Sequence, residues 1–159
     1  MLLRPLRADD VPTIAAIQAE PGVATRWGEP SETELQSKAA GTDEVTAFAI
    51  VADGEPVGLI QYYEEEDPMY RHAGIDLFLS EQAQGQGLGT DAVRTMARHL
   101  VHDRGHHRLV IDPAADNIAA IRTYEKVGFR RVGVMRQYER LPGGEWHDGL
   151  LMDLLADEL

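Results

Sequence analysis

Three glycines alternate in the run Gln84-Gly85-Gln86-Gly87-Leu88-Gly89-Thr90, directly between an apolar strand pattern and a helical one. Glycine in a helical first turn costs roughly 1 kcal/mol relative to alanine, so its repetition points to a backbone that must stay bare. A helix start offers unpaired N–H groups and the positive end of the helix dipole. Without side chains in the way, an anion such as a pyrophosphate can approach them closely. A tight strand-to-helix turn is the other use of the same residues. A second oddity precedes the loop. In Gly74-Ile75-Asp76-Leu77-Phe78-Leu79, alternation sets Ile75, Leu77 and Leu79 on one face and Gly74, Asp76 and Phe78 on the other. A carboxylate inside an apolar strand is costly unless it is paired, for example with Arg71, or used in chemistry.

Further acids are available to a site. Asp112 closes a strand beyond a strand-helix-strand crossover, where ligands of open α/β sheets tend to bind. The run Glu64-Glu65-Glu66-Asp67 either joins it as an acidic wall for ammonium groups or is a solvated loop. The formal net charge of −12 argues against a nucleic-acid partner and suits a cationic ligand, although acidity also serves solubility. His102, His106 and His107 lack an HExxH pattern and read as surface or capping residues, so no metal is expected. The absence of cysteine excludes thiolate catalysis, disulfides and Cys-based zinc sites.

The elements that must position these groups follow from pattern and punctuation. At 159 residues and 43% hydrophobic, the chain reads as one globular domain spanning 1–159. No apolar run approaches the ~20 residues of a membrane span, and the N-terminus has no signal organisation, so a cytoplasmic protein is expected. Leu2–Arg7 reads as a strand, then a helix capped at Asp9 with Val11, Ile14 and Ile17 inward. The segment from Thr25 has loop chemistry, followed by a polar helix from Ser31 to Gly41. Thr46–Ala52 and Val57–Tyr63 form a hairpin through Asp53-Gly54. After the acidic loop and the strand of Asp76, a helix places Val93, Met96, Ala97, Leu100 and Val101 on one face and stops at Gly105. His107–Pro113 is a strand. A helix capped at Asp116 or Asn117 and ended at Gly128 follows, then strands near Arg130–Tyr138 and Glu145–Leu155. The central strand, loop, helix and strand imply parallel neighbours in a mixed α/β sheet with antiparallel flanks.

Nucleotide motifs fit the glycine loop poorly. A Walker loop requires a lysine that is missing, and GxGxxG requires glycine where Thr90 or Ala92 stands. The pattern Gln84-x-x-Gly87-x-Gly89 instead resembles the acetyl-CoA pyrophosphate loop (Q/R-x-x-G-x-G/A) of the Gcn5-related N-acetyltransferases (GNAT). The run DNIAAIRTYEKVGF, from Asp116 to Phe129, is similar to that family's second signature. Between Trp27 and Arg130 the text looks closest to the aminoglycoside 6'-N-acetyltransferases, in WGEP, EEEDP, GIDLFL, GQGLGT, IDP and IRTYEKVGF.

The resemblance implies a mixed, splayed sheet with helices on both faces and acetyl-CoA as cosubstrate. Backbone groups of Phe78 and Leu79 would meet the thioester and pantetheine, and Gln84, Gly85, Gln86, Gly87, Leu88, Gly89 and Thr90 would cradle the pyrophosphate. Asn117 would bond pantetheine, or simply cap its helix. Tyr124 would protonate the departing sulfur, or only pack. Asp76 would bind the acceptor amine and take its proton. Glu65, Glu66, Asp67 and Asp112 would hold further ammonium groups, and Trp27 would pack on a sugar ring or in the core. Lys126 would reach a phosphate or serve the helix dipole. Transfer would be direct, since no cysteine can carry the acetyl group. The implied acceptor is the 6'-amine of an aminoglycoside, with another small amine, a lysine or a protein N-terminus as alternatives. A non-catalytic acetyl-CoA-binding module is the rival from another class. A monomer or homodimer is expected.

Overall fold

The strand that carries Asp76 lies at the middle of the molecule. In the computed structural model, which describes residues 1–159, it is β4 (His72–Leu79). It belongs to a seven-stranded sheet with β1 (Leu2–Pro5), β2 (Thr46–Ala52), β3 (Glu55–Glu65), β5 (Arg108–Ile111), β6 (Arg130–Arg140) and β7 (Trp146–Leu155). The strand order is β1-β2-β3-β4-β5-β7-β6, with β4 and β5 parallel and every other pair antiparallel. The Asp53-Gly54 turn between β2 and β3 takes φ +51° and +82°, as a tight hairpin of this twist requires.

Helices α1 (Val11–Gln18), α2 (Pro21–Trp27) and α3 (Glu32–Ala40) contribute to the core on one face, and α4 (Leu88–Arg98) and α5 (Ile118–Val127) to the core on the other. The period-2 pattern of β4 therefore feeds two cores. Ile75 packs with α4 and α5, and Phe78 packs with α1 and α2. The α4 stripe is real: Val93, Met96 and Leu100 are at most 1% exposed. Burying each such side chain contributes roughly 1.5–3 kcal/mol. One π-helical turn, His99–Asp103, carries α4 toward Gly105, which turns the chain at φ +74°. No helix is long and apolar enough to cross a membrane.

The feature that makes room for a site is a divergence of β4 from β5. Strand β3 pairs with all of β4, from Gly58 opposite Leu79 to Glu65 opposite His72. The parallel pair with β5 joins only Ala73 to Leu109 and Gly74 to Val110. From Ile75 to Leu79 the β5 side of β4 has no partner strand.

Four expectations require correction. Residues Pro21–Trp27, read in part as loop, form α2, with Pro21 in the first turn and Gly28 ending it at φ +77°. The helix is short and its sequence is a poor helix former, so tertiary contacts fix it. Val23 is buried, Glu81 accepts from the Gly22 N–H at 2.6 Å, and Glu20 accepts from the Glu81 N–H at 2.6 Å. The residue before α1 is Asp10, not Asp9; it is buried in a bidentate pair with Arg4 (2.6 and 2.8 Å) and accepts from the Arg7 N–H. Glu64 and Glu65 belong to β3 rather than to the acidic loop. Strand β6 runs two residues beyond Tyr138, and its register shifts between Met135 and Glu139, with Gln137 at φ +48°.

Candidate active site

Two clefts open on the divergence of β4 and β5, and they share Arg26, Trp27, Leu77, Asn117, Ala120 and Tyr124. The smaller, about 370 Å³, runs along Leu77–Leu79 to Gln84, Gly85, Gly87, Gly89 and Thr90. Gly85 and Gly87 adopt φ +75° and +83°, the left-handed region that glycine enters without strain. A Cβ at either would meet nothing within 4 Å, so backbone conformation rather than strand-helix packing explains them. Gly87 is the N-cap of α4, and no side chain caps the helix. The first helical bond runs from the Asp91 N–H to the Gly87 carbonyl (3.1 Å), which leaves the N–H groups of Leu88, Gly89 and Thr90 without helical acceptors. Bare donors at a positive dipole end suit an anion. Gln84 braces the loop by donating from Nε2 to the Leu79 carbonyl (3.1 Å), and Gln86 donates to the Gln82 carbonyl (2.8 Å).

The larger cleft, about 750 Å³, is walled by β4, the segment after β5, α5 and the β6–β7 hairpin. Asp76, Asp112 and Glu139 line it together with Tyr63, Tyr138 and Trp146. Burial raises the Asp76 carboxyl to about 6, helped by the negative charges of Asp112 and Glu139. Arg71 does not pair with it, because its guanidinium is spent on the carbonyls of Gly105 and Arg104 (2.8 and 2.9 Å). Burial also raises Asp112, against the pull of a 2.7 Å hydrogen bond donated by the Tyr138 hydroxyl. Glu139 is raised by burial and then by the charge on Asp112. Three carboxylates raised by burial, with the charge of Asp112 felt by the other two, face an open cleft and make a site for cationic groups.

Glycine 74 admits the aromatic wall. A Cβ there would lie 2.1 Å from the Tyr63 ring, so the tyrosine covers its cross-strand partner only because that partner is glycine. Trp27, delivered by α2, packs edge-on to Phe78 with centroids 4.9 Å apart and borders both clefts. Tyr124 stands where the clefts join. It is 8% exposed, and its hydroxyl is held well above the ordinary tyrosine range by burial and then by the charges of Asp76 and Asp112. It therefore keeps its proton at neutral pH. Asn117 caps α5, accepting at Oδ1 from the Ala120 N–H (3.3 Å), while its side chain borders both clefts.

Other expected residues lie elsewhere. Glu65, Glu66 and Asp67 do not line the cleft; Glu66 and Asp67 sit in the exposed turn after β3, where Asp67 accepts from the Met69 N–H. Glu64 is occupied by Arg104 (2.9 and 3.0 Å) and His106 (2.8 Å), which hold its carboxyl at about 2. His106 is thus a buried partner of Glu64, whereas His102 and His107 are exposed. The acidic wall comes instead from Glu139, which sequence reading missed along with Arg26, Tyr63, Tyr138, Arg140 and Trp146. The hairpin residues carried no signal, because the bulge that turns Tyr138 and Glu139 inward depends on Gln137 adopting a positive φ.

This architecture and site define a class. The family described as the acetyltransferase (GNAT) domain matches residues 1–130, and the chain belongs to it. It is 38% identical over 105 residues to the aminoglycoside N(6')-acetyltransferase type 1 of Klebsiella pneumoniae, a match covering 58% of this chain and 51% of that protein. The chain thus spans about half the length of that relative. It is 26% identical over 156 residues to the spermidine N(1)-acetyltransferase of Escherichia coli (strain K12), covering 94% of this chain and 83% of that protein. Among solved structures, the aminoglycoside acetyltransferase AAC(6')-Ib in complex with coenzyme A and kanamycin superposes with a TM-score of 0.79 at 27% identity, covering 98% of this chain and 95% of that one.

Proposed function

We propose that the chain is a single acetyltransferase domain that transfers the acetyl group of acetyl-CoA directly to a primary amine, the 6'-amine of an aminoglycoside. One observation carries this reading. A cleft ending on free N–H groups meets a second cleft lined by three carboxylates, and the meeting point is Tyr124. The first suits the pyrophosphate and pantetheine of acetyl-CoA, with Phe78, Leu79, Gln84–Thr90 and Asn117 along its course. The second suits a polyammonium sugar, with Asp76 at the reacting nitrogen, Asp112 and Glu139 on more distant amines, and Trp27 against a ring.

Amine acetylation removes two protons from an ammonium group and gives one to the leaving sulfur. Asp76 takes the first and passes it to solvent through the cleft; a carboxyl near 6 is ionised at neutral pH yet basic enough for the task. The freed amine attacks the thioester carbonyl, which a backbone N–H on the β5 side of β4, free of a partner strand, polarises. As the carbon–sulfur bond breaks, the Tyr124 hydroxyl donates its proton to the thiolate and recovers one from the nitrogen. The products are the amide, coenzyme A as thiol and one proton.

A second reading, acetylation of a linear polyamine, draws support from the longer match to the spermidine enzyme. Coenzyme A release measured with kanamycin, tobramycin, spermidine, free lysine and a peptide separates the two. Our reading expects kcat/KM to be highest for the aminoglycosides. Turnover of spermidine alone would replace it with the second.

A further inference from the structure

Asp76 is not the only polar residue set into the apolar centre of the sheet. Gln61 lies directly opposite it on β3, as its register partner. Gln61 is 7% exposed, does not line the acceptor cleft, and has a buried Oε1 with no hydrogen-bond partner. Across the pair, the Gln61 amide favours the ionised form of the Asp76 carboxyl. A buried acceptor left empty is disfavoured, and native proteins retain one where it has a use.

The use follows from the chemistry of an amide. Oε1 and Nε2 occupy equivalent places related by half a turn of the terminal torsion, so one amide can present a donor or an acceptor to the same neighbour. Ionised Asp76 needs a donor. Protonated Asp76 is itself a donor and needs an acceptor. Resting on the assignment of Asp76 as the base, we propose that Gln61 is a positioning residue that follows the proton on Asp76. Its Nε2 donates to the carboxylate, and its Oε1, after rotation, accepts from the carboxylic acid formed when the amine is deprotonated. The oxygen that is unpartnered in one state is the partner required in the other. The charged groups facing Asp76 cannot do this. Asp112 after β5 and Glu139 on β6 are acids that repel its charge, and Lys38 on α3 only donates. The charge of Asp76 disfavours ionisation of Tyr63, Tyr124 and Tyr138, and the Tyr138 hydroxyl is already given to Asp112.

Two measurements test the proposal. In Gln61→Met, which keeps the length and removes the amide, both bonds go but the one to the ionised carboxylate is the stronger, so the acid limb of the kcat/KM profile should move up by roughly half a unit to one unit. Activity should approach that of the wild type above the shifted limb. A folded variant whose limb does not move would overturn the proposal. The second needs no variant. In the free wild-type protein, the carboxyl carbon of Asp76 and the side-chain amide signals of Gln61 are followed together by NMR from acid to neutral pH. Both should move with one midpoint near the value of about 6 set by burial. Titration of Asp76 with a silent Gln61 amide would remove Gln61 from the mechanism and leave Asp76 in it. Absence of any Asp76 titration in that range would remove both.

Discussion

The Tyr138 hydroxyl donates to Oδ2 of Asp112 at 2.7 Å, tying the β6–β7 hairpin to the segment that follows β5 across the acceptor cleft. A Cβ at Gly149 would lie 2.9 Å from the Tyr138 ring, so a glycine on β7 also seats this tyrosine. In Tyr138→Phe the ring stays and the hydrogen bond goes. A bond to a charged acceptor contributes about 1.5 kcal/mol or more, so the kanamycin KM should rise about tenfold, with kcat changed less than twofold. Steady-state kinetics of coenzyme A release provide the check.

Asp76 links activity and stability with opposite signs. Its folded value, about 6, lies above the ordinary 3.8, so between those values the folded protein holds the proton more tightly than the unfolded chain does. Stability attributable to this group therefore falls as pH rises from about 4 to about 6, and the full cost is present at pH 7. Asp76→Asn should stabilise the protein at pH 7 by on the order of 2–3 kcal/mol, a gain that vanishes near pH 3.5. The same change should cut kcat/KM for kanamycin roughly 10²-fold. Thermal melts across pH, alongside kinetics, measure both.

Tyr124→Phe removes only the hydroxyl at the junction of the clefts. We expect kcat to fall ~10²-fold with acceptor KM within about twofold, since in the proposed mechanism the hydroxyl acts on the leaving sulfur and not on ground-state binding. Pre-steady-state traces establish whether chemistry limits turnover.

The glycine loop gives a binding prediction. Gly89 has an ordinary φ, and a Cβ there would touch Leu79 and Thr123 at 3.5 and 3.7 Å, so a branched side chain must grow into the groove. Gly89→Val should weaken coenzyme A binding at least tenfold, about 1.4 kcal/mol, while the melting temperature stays within a few degrees. Calorimetric titration with coenzyme A reads the first, and a thermal melt the second.

Much of the frame was legible because it is local. The stop at Gly105, the Ser31 cap, the Asp53-Gly54 turn and the α4 stripe each follow from a few neighbouring residues. The odd placement of Asp76 was visible for the same reason, and Gln61 carries that signal too, as a polar residue in an apolar strand. Helix α2 was hidden because its hold on the protein comes from Glu81 and Phe78, far along the chain. The acidic run misled because sequence gives the charge of Glu64 but not its partners, Arg104 and His106. Glu139 reaches the cleft only through a bulge, and a bulge is a property of two strands in register.

The central claim is that acetyl-CoA and a polyammonium sugar meet between Asp76 and Tyr124 so that one particular amine reacts. The most direct measurement is the structure of the product: kanamycin incubated with the protein and acetyl-CoA, then examined by mass spectrometry and NMR. The account predicts a single acetyl group on the 6' nitrogen, formed at a rate cut about 10²-fold by Asp76→Asn. Kanamycin recovered unchanged under conditions in which spermidine is acetylated would contradict it.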